Sequence, residues 1–264
     1  MNLGLQGKLA VVSGSTAGIG LAIATALAVE GATVVVNGRT EARVAEALEK
    51  IRNRVSGANL RGVAADLGTA TGVDAFLKQA PDADVLINNL GIFDPKPFLE
   101  IPDTEWLRFF EVNVLSGVRL ARKYLPGMLK KNWGRVIFIS SESAQNIPAE
   151  MVHYGMTKTA QVAIARGLAQ SVAGTGVTVN SVLVGPTDSE GVGAFLESLA
   201  QQQNIAKADV EKMFFERARP GSLLKRFETP DEVAAVVAFV ASTQALVLNG
   251  AAVRAEGGVI QSIF

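Results

Sequence analysis

Leu9-Ala10-Val11-Val12-Ser13-Gly14-Ser15-Thr16-Ala17-Gly18-Ile19-Gly20 runs from an apolar segment through a glycine-rich turn into a helical pattern that lasts to Glu30. Residues 9–13 read as a buried strand and 19–30 as an amphipathic helix. Glycine allows a tight turn and a close backbone approach to a pyrophosphate, whose charge is met by the N-terminus of the following helix. A glycine-rich turn by itself is weak evidence, because any tight turn favours glycine. Lodged between a strand and a helix at the start of the chain, it makes Gly14, Ser15, Thr16, Gly18, Ile19 and Gly20 candidate cofactor contacts.

The same alternation continues outward. Strand-like runs at 33–37, 60–65, 85–88, 136–140 and 177–183 alternate with segments such as 41–55 and 104–130, whose apolar residues fall at i, i+3, i+4. Strands alternating with helices imply a parallel sheet covered on both faces, and no linker, repeat or low-complexity stretch cuts the chain. The expectation is a single doubly wound α/β domain over residues 1–264. Thr229-Pro230-Asp231-Glu232 starts the last helix, with an N-cap, proline at N1 and acids in the first turn.

With 48% hydrophobic and 19% charged residues and zero net charge over 264 residues, the balance is that of a globular enzyme. It offers no electrostatic case for nucleic acid or an anionic membrane. The absence of cysteine excludes disulfides and thiol catalysis. His153 is the single histidine, which argues against a zinc site and leaves any Ser-His-Asp triad dependent on that residue. The N-terminus lacks the apolar core of a signal peptide, and the longest apolar run, 233–241, is too short to span a bilayer, so a cytoplasmic location is expected.

Residues 136–158 carry the chemistry. Val136-Ile-Phe-Ile-Ser140-Ser141 reads as a strand ending in two hydroxyls, and Tyr154 and Lys158 share a helix face at a spacing of four. An ammonium beside a phenol favours the phenolate, so the Tyr154 pKa is expected to fall from about 10 toward neutrality. That is an acid/base suited to an alcohol or a carbonyl. A Tyr–Lys pair at this spacing is, taken alone, more often a surface contact.

The Ser140-Ser141 pair, Tyr154-x-x-x-Lys158 and the G-x-x-x-G-x-G turn together resemble the classical branch of the short-chain dehydrogenase/reductase superfamily. The resemblance covers essentially the whole chain. It implies a seven-stranded Rossmann-like sheet of order 3-2-1-4-5-6-7, NAD(P)-dependent oxidoreductase activity and a homotetramer, with no nucleic-acid or membrane partner. It assigns Ser141, thirteen residues before Tyr154, as the catalytic serine, Lys158 as the partner of Tyr154 and of the nicotinamide ribose, and Asn113 as the anchor of a proton-relaying water. Asn113 reads equally as a core amide satisfying a backbone carbonyl.

In the family's NAD-type members an acid follows the second strand, where this chain has Gly38 and Arg39. A guanidinium can pair with a 2′-phosphate, so NADP(H) is expected in preference to NAD(H), although Arg39 also reads as a solvated charge. Asp66 and Leu67 resemble the adenine contact (Asp66 also reads as a turn or cap residue), and Asn89, Gly185 and Thr187 are carried over as cofactor contacts. Departures fall at Ala17, Leu90, Val184 and Glu256, none of them in the catalytic set.

The segment 188–224 is expected to be a substrate lid, or else two helices packed on the body. The pocket should be lined by Phe93, Ile147, Met151 and lid residues such as Phe195, which suggests a mostly apolar ketone or secondary alcohol. Alternatives are a reductase of 3-oxoacyl thioesters on acyl carrier protein and a non-catalytic NAD(P)-binding regulator. A complete Asn113, Ser141, Tyr154 and Lys158 set argues against the latter.

Overall fold

The computed structural model describes residues 2–263, without the side chains of Ala194, Phe195, Leu199, Gln202 and Gln203. Seven parallel strands form one sheet: β1 (Leu9–Val12), β2 (Thr33–Gly38), β3 (Leu60–Ala64), β4 (Val85–Asn88), β5 (Gly134–Ser141), β6 (Val177–Val184) and β7 (Ala252–Ala255). Their spatial order is β3-β2-β1-β4-β5-β6-β7, as the resemblance implies.

Successive side chains of a strand point to opposite faces, so each apolar run feeds two cores. Ala10, Val12, Val34 and Val36 pack beneath α1 (Gly18–Val29), α2 (Glu41–Arg54) and α9 (Pro230–Ala241), through Ile23, Leu27, Ile51 and Val237. Val11, Val35, Leu86 and Phe138 face α3 (Ala70–Gln79), α5 (Ser116–Lys131) and α6 (Val152–Ser171), through Phe76, Tyr124 and Ala169. Thr229 and Glu232 form a reciprocal capping box with Pro230 at the start of α9, as the sequence indicates. Such a cap contributes about 1 kcal/mol.

The helix expected over 104–130 is interrupted. α4 (Asp103–Phe110) passes through a π-turn, Glu111–Leu115, before α5 begins. Asn113 lies within this turn. The segment after β6 carries α7 (Glu190–Gln203), α8 (Lys207–Met213) and a second π-turn, Phe214–Ala218. Leu196, Val210 and Phe215 there pack with Phe227 into a separate small core.

Candidate active site

The strand order reverses between β1 and β4, and the candidate residues gather at the C-terminal ends of the strands around that point. Gly14 and Gly18 hold φ of +60° and +52°, in the left-handed region that glycine favours. Asn37, at the end of β2, supports the turn. Its Oδ1 accepts from the Gly14 N–H at 3.1 Å, while its Nδ2 donates to the Val63 and Ala65 carbonyls at 3.2 and 3.1 Å.

Ser15 is fully buried. Its hydroxyl donates to the Val12 carbonyl at 2.7 Å and accepts from the Asn37 N–H at 2.9 Å. Its side chain is thus an internal brace of the turn. Asn89 donates from Nδ2 to the Ser13 and Gly14 carbonyls, both at 3.0 Å, and ties β4 to the same turn. Thr16 lies against Gly38, where a Cβ would collide with its methyl group.

The N-termini of α2, α3, α7 and α9 are capped by Thr40, Thr69, Ser189 and Thr229. α1 starts at Ala17 with no side-chain cap and no acid in its first turn. A helix end stripped of its own acceptor suits an external anion. A side chain at Gly91 would come within 3.4 Å of Lys158 Nζ, so glycine keeps that approach open. These features fit a dinucleotide whose pyrophosphate lies at α1. Arg39 is exposed and has no ion-pair partner among the described residues. Asp66 is also exposed and accepts from the Gly68 N–H at 3.0 Å, while Leu67 belongs to the core.

Ser141 ends β5, and Tyr154 and Lys158 lie one turn apart in α6. The Ser141 hydroxyl lies beside the phenol and favours its ionised form, yet burial pushes the Tyr154 pKa up to about 12. Burial also brings Lys158 down to about 8. The expected fall of the phenol pKa is thus corrected: desolvation outweighs the neighbouring charges. The geometry gives the reason. Lys158 Nζ stands 5.5 Å from the Tyr154 ring centroid and donates instead to the Ile139 carbonyl at 3.0 Å and to Gln161 Oε1 at 3.3 Å.

Asn113 is buried beside them with its side chain fully engaged. Its Oδ1 accepts from the Ile92 N–H at 2.7 Å, and its Nδ2 donates to the Ile92 carbonyl at 2.9 Å and to Thr157 Oγ1 at 3.0 Å. Its carbonyl accepts from Gln161 Nε2 at 2.6 Å. The core-amide reading of Asn113 therefore holds. The same carbonyl, which keeps a second lone pair, accepts from a glutamine that has no role in the sequence reading.

A cavity of about 440 Å³ opens on Ser141, Tyr154, Gly185 and Thr187, with Ile19 at its edge and Phe93, Met151, Val192, Leu196 and Phe214 among its walls. The Phe93 ring meets Tyr154 edge-on at 6.4 Å. Ile147, expected in the lining, packs against Gly155 instead, and the Phe195 side chain lies outside the described residues.

The cavity also holds a pair with no sequence forecast. Arg219 donates from Nε to Glu142 Oε1 at 2.6 Å and from a terminal nitrogen to Glu150 Oε1 at 3.3 Å. Glu142 directly follows Ser141, so the 188–224 segment is tied to the strand end that carries the serine. Removing one partner of such a buried pair costs about 3–5 kcal/mol. The signal available in the sequence was an acid placed directly after the two serines that end a strand. His153 packs against Phe109 and Trp106, and neither ring nitrogen has a hydrogen-bond partner, so the single histidine pairs with no serine.

Residues 8–199 match the family model described as short chain dehydrogenase. The chain is 48% identical over 264 residues, covering 100% of both sequences, to a Bacillus subtilis protein named uncharacterized oxidoreductase YvaG. It is 34% identical to the D-beta-hydroxybutyrate dehydrogenase of Cupriavidus necator, over 96% of this chain and 98% of that one. Among solved structures it superposes on the L-sorbose reductase of Gluconobacter frateurii, complexed with NADPH and L-sorbose, with a TM-score of 0.92, 31% identity and 100% of both chains covered.

Proposed function

The chain belongs to the short-chain dehydrogenase family and is an oxidoreductase of CH–OH and C=O groups, and from that premise we propose that it reduces a mostly apolar ketone with NADP(H), Tyr154 donating the proton. The observation that carries this reading is that Ser141 and Tyr154 line one largely apolar cavity, with Lys158 on the next turn of the Tyr154 helix.

When bound, the nicotinamide supplies the hydride. The protein's part is position and charge. The α1 N-terminus and the Gly14–Gly20 turn would hold the pyrophosphate, and Thr187 and Gly185 would meet the nicotinamide end. Ser141 orients the substrate oxygen. The phenol of Tyr154, kept protonated by burial, gives its proton to that oxygen. The ammonium of Lys158 then stabilises the phenolate left behind. The segment 188–224, held by Arg219 on Glu142, serves as the cover of the cavity and keeps water from the transfer. NADPH oxidation with a panel of ketones tests the activity, and no turnover of any of them would count against it.

Arg39 is the proposed partner of a 2′-phosphate, supported by its free guanidinium and by the absence of an acid at Gly38. The NADPH complex of the sorbose reductase is consistent with this preference. Arg39→Ala is expected to weaken NADP(H) by about 1–3 kcal/mol and leave NAD(H) nearly unchanged. Titration of wild type showing tighter NAD(H) binding would remove Arg39 from that role.

The chain is also proposed to associate with copies of itself. Phe98, Leu99, Leu107 and Phe110 expose apolar surface on and beside α4, and contiguous surface of that kind is best explained by association. Light scattering at micromolar concentration should report an oligomer, and a monomer would refute it.

A further inference from the structure

Gln161 is one of the most enclosed polar side chains in the protein, and nothing so far accounts for it. It lies three residues after Lys158, on the same face of α6. Its two amide ends reach different elements. Oε1 accepts from Lys158 Nζ at 3.3 Å, and Nε2 donates to the Asn113 main-chain carbonyl in the π-turn at 2.6 Å. With the Ile139 carbonyl of β5 at 3.0 Å, two of the three ammonium protons are assigned, and Gly91 keeps the remaining approach uncrowded.

We infer that Gln161 is a positioning residue that fixes the Lys158 ammonium by tying it to the Asn113 main-chain carbonyl of the π-turn. This rests on the role given to Lys158 in the proposed function. An uncharged amide stabilises an ammonium without neutralising it, whereas a carboxylate at that distance would cancel much of its field at Tyr154. The site spends a buried hydrogen-bonding residue on holding the lysine still.

The groups around Nζ make the effect readable. Tyr154 on α6 is the titratable neighbour. The contacts from β5, the π-turn and the Gly91 loop are neutral, and among the described residues no carboxylate or second cation acts on the ammonium. Lys158 is held near 8 by burial alone.

The experiment is the pH profile of NADPH oxidation for wild type, Gln161→Leu and Gln161→Glu, using whichever of cyclohexanone, acetophenone and ethyl 3-oxobutanoate the wild type reduces fastest. The reductive rate should fall as Lys158 deprotonates. Removing an acceptor in Gln161→Leu should move that midpoint down, and adding a carboxylate in Gln161→Glu should move it up, each by about half to one pH unit. Both variants should lose about tenfold in kcat. Two folded variants that keep the wild-type midpoint would overturn the inference, whatever their change in Tm.

A crystal structure of wild type with NADP+ decides the matter if neither variant folds or if no ketone is turned over. The Gln161 amide spanning Nζ and the Asn113 carbonyl supports the inference. A water there, with the amide turned away, refutes it. Turnover that survives in Tyr154→Phe instead defeats the proposed function, so the two failures are distinguishable.

Discussion

Tyr154→Phe is expected to lower turnover by at least the 10²–10⁴-fold typical of losing a general acid, while NADPH still binds. The substitution removes the transferable proton and keeps the ring that packs edge-on against Phe93. Cofactor affinity should survive because the glycine turn, the α1 N-terminus and Arg39 are untouched. The pH dependence follows from the environments. Burial holds the phenol protonated, with a pKa of about 12, so at neutral pH it is a donor and the reductive direction is served.

The sign for Lys158 is the opposite of that for a surface lysine. Its pKa is lowered to about 8, so the ammonium is present below that pH and is lost as pH rises through it. The reductive rate of wild type should therefore hold at neutral pH and decline near pH 8, before the phenol itself ionises. NADPH absorbance followed against pH with one ketone measures both effects. Near-normal turnover in Tyr154→Phe would sink the mechanism, whatever the fold.

Gly20→Ala should have an effect of similar size on a different step. A Cβ at Gly20 would press on the Gly14 carbonyl oxygen and stand 2.5 Å from Asn89 Nδ2 and 3.0 Å from Ser15 Cα. Two of these three neighbours are backbone and cannot rotate away. The turn must shift, and the bond from Asn89 to the Gly14 carbonyl, 3.0 Å in this structure, is strained or broken. A displacement of about 1 Å in a positioning element costs on the order of 10²-fold, and overpacking here costs about 1–3 kcal/mol of stability. NADPH affinity by fluorescence titration should fall by that factor, with a lower Tm. Wild-type affinity in a folded Gly20→Ala protein would mean that the turn does not cradle the pyrophosphate.

The β1–turn–α1 unit, the parallel sheet and the shared face of Tyr154 and Lys158 were legible in the amino-acid sequence alone. Each depends on periodicity that backbone geometry imposes locally: 2 for strands, 3.6 for helices, and glycine where φ turns positive. The spacing placed Tyr154 one turn before Lys158 but said nothing about where the ammonium points. That direction is decided by the Ile139 carbonyl of β5 and by Gln161, whose own orientation depends on Asn113, 48 residues away.

The same holds for Asn37, which braces a turn 22 residues earlier, and for Glu142 and Arg219, which are separated by 77 residues. The sense of the Tyr154 shift was misjudged for the same reason. A charge four residues away is visible in the sequence, whereas the desolvation that raises the phenol pKa is a sum over every element packed around the site, and only the folded chain supplies that sum.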